Sequence, residues 1–183
     1  MNIFYLNQDP KQCAQDHVDK HVVKMILEYA QLLSTAHRVL DGTLAVVRGD
    51  SGRKKTTYTL ADSRDGILYS ATHINHPSAI WVRKSAANYN WLFSLYVALM
   101  REYTYRYGKD HACGRLQDYL ARLPEKIESG EFTEPTPAMP DEYRVAGDSI
   151  QSYKNYYLGD KQRMFSWKKR EVPSWILNTN VTQ

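Results

Sequence analysis

The residues with the most chemical potential fall on one line. His17, His21, Lys24, Glu28, Gln31 and Thr35 step along the chain by four and three, the spacing that puts side chains on one face of an α-helix. A second line, Val18, Val22, Met25, Tyr29, Leu32, Ala36 and Val39, has the same rhythm and is largely apolar. The two are one residue out of phase, about 100° of rotation, so the polar line borders the buried one instead of opposing it. A solvated helical face ordinarily alternates Lys and Glu. Two imidazoles, an ammonium and a carboxylate beside a core resemble the wall of a cleft. Burial and nearby cations pull on a carboxyl group in opposite senses there, a tension that suits acid–base work. The competing reading is a polar edge with structurally satisfied histidines. Taken as a group, the line is expected to form a site, with Glu28 as the central acid or base and His21 and Lys24 setting its protonation.

Two further clusters carry chemistry. Thr72-His73-Ile74-Asn75-His76-Pro77 precedes a helix start, where exposed amides bind phosphate and nearby histidines can assist. Substrate contacts are accordingly expected from His17, Lys20, His73, Asn75, His76 and Arg83. His17 and His21, with His73 or His76, also have the donor type for zinc. The His-Glu-x-x-His pattern is absent, however, and neither a metal nor a cofactor is expected. The third cluster is the C-terminal segment, where Tyr153, Tyr156, Tyr157, Phe165, Trp167 and Trp175 alternate with basic residues. Base stacking with phosphate neutralisation needs this mixture. Tyr153, Tyr157, Lys168, Lys169, Arg170 and Trp175, together with Arg53, Lys54 and Lys55, are expected to contact DNA. The structural alternative is that some of these rings close the core over the first helix.

The elements that must position these groups read as mainly α. Asn2–Leu6 is a short strand or an extended arm. Asp9 as N-cap, Pro10 at the first helical position and Asp41-Gly42 as the stop predict one long helix over 10–40. Residues 43–60 read as a loop or ragged hairpin, and 61–72 as a shorter helix. His76-Pro77 opens a helical stretch closed by Gly108, with a break near 85–90. A further amphipathic helix covers 111–123 and ends at Pro124. The segment 124–147 holds four of the seven prolines and reads as a long irregular connection. Asp148, three before Gln151, caps a last helix. One helical domain is expected over 1–177, with a frayed tail over 178–183.

Composition sets the outer limits. The chain has 183 residues, 43% hydrophobic and 24% charged, which excludes a disordered, collagen-like or coiled-coil rod architecture. Its apolar runs fall short of a membrane span, and the N-terminus lacks a signal-peptide pattern. Cys13 and Cys113 are its only cysteines, too few for a disulfide framework or a Cys-based zinc site. An intracellular, cytoplasmic protein without a membrane partner is the expectation. Aromatic residues reach 12%, including 14 Tyr. The net charge of +4 is uneven: 43–60 and 148–183 are each locally basic, and 111–147 between them is acidic. This suits an anionic partner, DNA or a nucleotide.

Several short motifs resemble the pyrimidine-dimer DNA glycosylases of the endonuclease V type, and phage-encoded proteins more generally. Glu28-Tyr29 follows His21 by seven, Glu102 precedes Arg106-Tyr107-Gly108, and Arg170-Glu171-Val172-Pro173-Ser174-Trp175 resembles the family's C-terminal signature. The resemblance implies that family's helical fold, with a long N-terminal helix, and DNA N-glycosylase activity on a flipped or modified nucleotide. Lyase cleavage follows where an amine attacks the sugar. In that family a small residue exposed by removal of Met is the nucleophile. Here residue 2 is Asn, bulky enough for Met1 to be retained, and the arginines flanking the family's catalytic Glu are replaced by Leu27, Ala30 and Gln31. The amine is then that of Met1, or Lys24 or Lys20 substitutes, or the chemistry differs. The alternative is a nucleotide-binding protein or nucleotide hydrolase using the His/Lys cluster on phosphate. A third is a non-catalytic interaction protein.

Overall fold

The structure, a computed structural model, describes residues 1–181. Its helices are α1 (Pro10–Asp16), α2 (Asp19–Asp41), α3 (Pro77–Lys84), α4 (Ala86–Tyr107), α5 (Gln117–Leu120), α6 (Ser149–Asp160) and α7 (Ser174–Leu177). An antiparallel hairpin of β1 (Thr43–Arg48) and β2 (Lys54–Thr59) follows α2. The protein is mainly helical, as its pattern predicts. α2 is the long N-terminal helix, packed with α4 and α3, while α1 lies on α4. Val22, Met25, Ile26, Tyr29, Leu32, Leu33 and Ala36 from α2, and Leu92, Leu95, Tyr96 and Leu99 from α4, are buried in one cluster. Ile3–Leu6 join it at one end of the chain and Tyr153, Tyr157 and Ile176 at the other.

The expected helix over 10–40 is two helices. Backbone at His17 and Val18 is extended, with ψ of 131° and 154°. Breaking a helix frees backbone carbonyls, which must find donors when buried. Arg106 supplies them. Its guanidinium, fully buried, donates to the carbonyls of Gln15 and His17, each at 2.9 Å, and Trp167 Nε1 donates to that of Asp16 at 3.0 Å. Glu102 and Asp19 neutralise the arginine at 2.8 and 2.9 Å.

A second buried arginine overturns the helix expected over 61–72. This segment has only a 3₁₀ turn, Ser63–Gly66, and is then irregular up to His76. Arg38 on α2 donates to the carbonyls of Tyr58, Asp65, Leu68 and Tyr69 at 2.6–2.9 Å, so side-chain donors replace a helical ladder. Over 111–123 the expected helix shrinks to a 3₁₀ turn, Ala112–Leu116, and the single turn of α5. Tyr96 and Tyr89 hydroxyls donate there to Cys113 and Leu120 carbonyls.

Other boundaries follow the local chemistry. Asp9, Ser85 and Asp148 each accept a backbone N–H at a helix start. Ser85, extended, makes the break between α3 and α4. Gly108 ends α4 with φ of +69°, a left-handed conformation that glycine adopts without penalty. Residues 124–147 are irregular apart from a 3₁₀ turn at Asp141–Tyr143 and an isolated bridge from Val145 to Asp148. In the expected frayed tail, Asn178–Val181 form a 3₁₀ turn and the last two residues lie outside the described ones. Among the described residues, no helix is long and apolar enough to cross a membrane.

Candidate functional site

Residues 1–7 form an extended arm without strand pairing, pinned beneath α2 and α6. Tyr29 on α2 accepts the Phe4 N–H at 3.2 Å, and Cys13 Sγ donates to the Phe4 carbonyl at 3.1 Å. Because Tyr29 accepts there, its own proton is free for His17 Nε2 at 2.8 Å. His17 Nδ1–H then donates to the Cys13 carbonyl at 2.6 Å. The Phe4 ring stacks on His21 at 4.2 Å, and His21 Nδ1 pairs with the Tyr157 hydroxyl at 2.7 Å. Tyr153 donates to the Thr136 carbonyl and to Asn2 Oδ1 at 3.2 and 3.3 Å. The arm therefore has its ends fixed by α2 and α6 together.

This pinning brings the α-amine of Met1 to 3.9 Å from Glu28 Oε2. Lys24, one turn earlier on α2, has its Nζ 3.4 Å from Oε1. Glu28 is 17% exposed and Lys24 70%, so the carboxylate sits in a recess and the lysine reaches over it from solvent. The recess, about 200 Å³, is lined by Met1, Asn2, Phe4, His21, Lys24, Met25, Glu28, Tyr156 and Lys161. Lys161, only 15% exposed, lies 4.6 Å over the Tyr156 ring and pairs with Asp160 at 3.1 Å. Larger grooves of about 600 Å³ run along the outer side of α4, one lined by Phe93, Arg101, Tyr105 and Arg170 among others. They are roomier, but the buried carboxylate on the first, Glu102, is already taken up by Arg106 and Arg170. The small recess is the better chemical candidate.

Met1, His21, Lys24 and Glu28 are thus gathered in one place. His21 departs from its expected role, because burial first, then His17, Lys161 and Lys24, push its pKa down to about 3. It is a neutral wall of the recess and not a cation tuning Glu28. His17 is fully buried, with both ring nitrogens occupied and its pKa pushed down to about 4 by burial, so it is a core residue and not a substrate contact. Both histidines are therefore spent structurally. Among the described residues no three His, Cys, Asp or Glu side chains meet in a way that would hold a metal ion.

The remaining expected substrate contacts lie around or away from the recess. Lys20 is exposed. His76 caps α3, its own Nδ1 accepting the Ser78 N–H at 3.1 Å, so that amide is not available to phosphate. Burial and then the Met1 ammonium and His73 lower the pKa of His76, while Glu28 opposes them; His76 is not among the residues that line the recess. His73 is exposed, bonded to Thr72 at 2.7 Å, and has φ of +48°. Asn75 is exposed in the following turn. Arg83 sits on the last turn of α3, with Nη1 buried and unpaired and its pKa lowered by burial. Arg83 is not among the residues that line the recess.

The expected DNA contacts divide similarly. Tyr153 and Tyr157 are fully buried under the arm and cannot stack on bases. Their hydroxyls and rings close the core, the alternative weighed for them above. Arg170 is committed to Glu102, with both contacts at 3.0 Å, and lies 4.1 Å over the Tyr105 ring. Trp175 is half-buried, its Nε1 donating to Asp16 at 3.2 Å. Lys168 and Lys169 remain exposed over Tyr107 and Tyr105, and Arg53, Lys54 and Lys55 are exposed on the hairpin.

Sequence reasoning missed Lys161 and Tyr156 as recess residues, and Arg38 and Arg106 as the organisers of the irregular backbone. Lys161 follows the end of α6 and has no spacing relation to the α2 line. No periodic signal marks it.

No family model, no curated protein and no solved structure matches the chain.

Proposed function

We propose that the protein is a DNA glycosylase or a related DNA-base-processing enzyme that acts on a flipped or modified nucleotide, with Glu28 as its acid/base. The observation that carries this reading is the 3.9 Å approach of the Met1 α-amine to a recessed carboxylate, with Lys24 on its other oxygen. A base must leave the stack before its glycosidic bond is accessible. The carboxylate takes a proton from the ammonium, directly or through one water, and frees the nitrogen lone pair. That pair forms a bond to the sugar C1′ as the C1′–N bond to the base breaks, and the base departs with its electrons and is protonated. Loss of a second proton from nitrogen and opening of the ring give a Schiff base, from which strand cleavage by elimination follows. Lys24 and Lys161 hold the flanking phosphates. The short motifs that resemble those of the pyrimidine-dimer glycosylases favour the same reading, while Asn2 makes the retained Met1 amine the candidate nucleophile.

The test is borohydride trapping. Duplexes with an abasic site, a pyrimidine dimer or a modified base are incubated with the protein, reduced, and the adduct is located by peptide mass. An adduct on Met1 is expected, and Glu28→Gln is expected to slow its formation by about two orders of magnitude, the scale of one positioned acid or base. Since Lys24 is mostly exposed, its pair with Glu28 adds only about 0–1 kcal/mol, and any larger fall in the variant's melting temperature reports the recessed Met1 ammonium left without its partner. An adduct on Lys24 moves the nucleophile and keeps the reading. Absence of both adduct and base release on every substrate sinks it. The nucleotide-hydrolase alternative draws on the same excess of cations in the recess, and mononucleotides would then raise the melting temperature by mass action.

A further inference from the structure

The β1–β2 hairpin gives no residue to the recess, and its two ends differ sharply. The base is rigid: Arg38 Nη1 donates to the Tyr58 carbonyl at 2.9 Å, and Gly42 is pressed against the helix it leaves. A Cβ at Gly42 would collide with the Arg38 carbonyl oxygen and lie 2.9 Å from that of Thr59. The far end is bare. Leu44 and Val46 are 57% and 67% exposed, and every residue from Val46 to Thr56 is exposed. A two-stranded ribbon alone is marginal in water, and this one is also charged against itself. Arg48 stands directly opposite Lys54, with Arg53 and Lys55 on either side. Opposed like charges destabilise a ladder, and among the described residues none of these four forms an ion pair. The arrangement lacks an anion on the outside.

We propose that this hairpin is a docking ribbon for duplex DNA, inserted into the major groove with its tip cations on the bordering phosphates. The proposal rests on the DNA reading of the Glu28 recess and adds to it a second point of attachment. Alternation puts Val46 and Arg48 on one face with Lys54 and Thr56 across from them. That face joins Arg48 and Lys54, beside a turn that also carries Asp50, to small apolar and hydroxyl side chains, the types that meet thymine methyls and base edges. The major groove, about 12 Å wide, admits a two-stranded ribbon. The dimensions agree. Gly42 lies fourteen residues after Glu28, about 21 Å along α2 at 1.5 Å per residue. A six-residue strand extends about 20 Å further. Placed end to end, these lengths set an upper reach of about 41 Å from Glu28 to the tip, a little over one helical turn of about 34 Å.

The experiment measures binding of a 30-base-pair duplex between 50 and 200 mM salt for the full chain and for two variants. In Arg48→Ser/Arg53→Ser/Lys54→Ser/Lys55→Ser, the log–log salt slope is expected to fall by about 3–4, near 0.9 per lost contact, with at least about a 30-fold loss of affinity at 100 mM. The milder Arg53→Ser/Lys55→Ser keeps the Arg48–Lys54 register and should lose about half that slope, so a misfolded quadruple variant does not decide the matter. A dye that occupies the major groove should displace the unaltered protein, and a minor-groove ligand should not. Trapping of a short abasic single strand by the unaltered protein reports on the recess independently. If duplex affinity is unchanged in both variants, the ribbon is wrong whatever the recess does. If the slope falls but no substrate is trapped, the ribbon stands and the reading of the recess fails. No duplex binding at 50 mM salt overturns the ribbon outright.

Discussion

His17, His21 and His37 are neutral in the fold because burial disfavours their imidazolium forms. Burial leads in each case, seconded by the Arg106 charge at His17, His17 itself at His21 and Arg64 at His37, and it pushes the three to about 4, 3 and 4. The unfolded chain takes up these protons near pH 6.5. Between pH 6.5 and about 4 it therefore binds more protons than the fold, and stability falls as acid is added. Each histidine contributes up to roughly 1.4 kcal/mol per pH unit in that window. Asp41, held low by Arg64 and the Glu125 and Lys126 amides against its burial, pulls in the same direction below the usual carboxylate range. Asp16, raised by burial, opposes it. Urea unfolding at several pH values should give a plateau above about pH 7 and a steep decline toward pH 4.5. A flat profile between pH 6.5 and 4.5 would show that these imidazoles are not held neutral. The geometry that produces this sensitivity also removes His17 and His21 from direct chemistry. Their four-three spacing with Glu28 was legible in the sequence, but burial, which decides between ligand and core residue, was not.

At the level of elements, what the sequence shows is local. Asp9 and Asp148 as caps, Gly108 as a stop and the break near residue 85 are written within three or four positions of where they act. The helices wrongly expected over 61–72 and 111–123, and the continuity assumed at His17, fail for a common reason. In each, backbone groups that would have bonded along a helix are satisfied by a side chain remote in sequence: Arg38, Tyr89 and Tyr96, or Arg106. No periodicity encodes such partners. Arg106 also permits a sharp test. Arg106→Met leaves Asp19 without its buried counter-charge, Glu102 with Arg170 alone and two carbonyls without donors, a loss of about 3–5 kcal/mol. Arg106→Lys should recover little of it, since one ammonium cannot span a forked set of acceptors. Equilibrium denaturation reads both. A Lys variant as stable as the unaltered chain would mean that charge, not fork geometry, sets the α1–α2 junction.

On the scale of the molecule, the basic tail is less uniform than its charge suggests. Lys168→Ser/Lys169→Ser removes two exposed cations and should lower the slope of duplex affinity with salt by about 1.8 while leaving stability nearly unchanged. Arg170→Gln breaks a doubly bonded contact to buried Glu102 and should lower the melting temperature before it alters the slope. Measuring both quantities for each variant separates the roles, and equal slope losses without a stability change in Arg170→Gln would contradict the assignment. The arm has a consequence of another kind. Asn2 and Phe4 are secured by Tyr153 and by the ring of Tyr157, some 150 residues away. As the chain leaves the ribosome, Asn2 and Phe4 are made long before the helix that covers them. Contacts of such long sequence separation close late. The recess beside Glu28 is therefore assembled only after α6 has been made, and a chain that stops short of α6 carries Glu28 on α2 without the wall that encloses it.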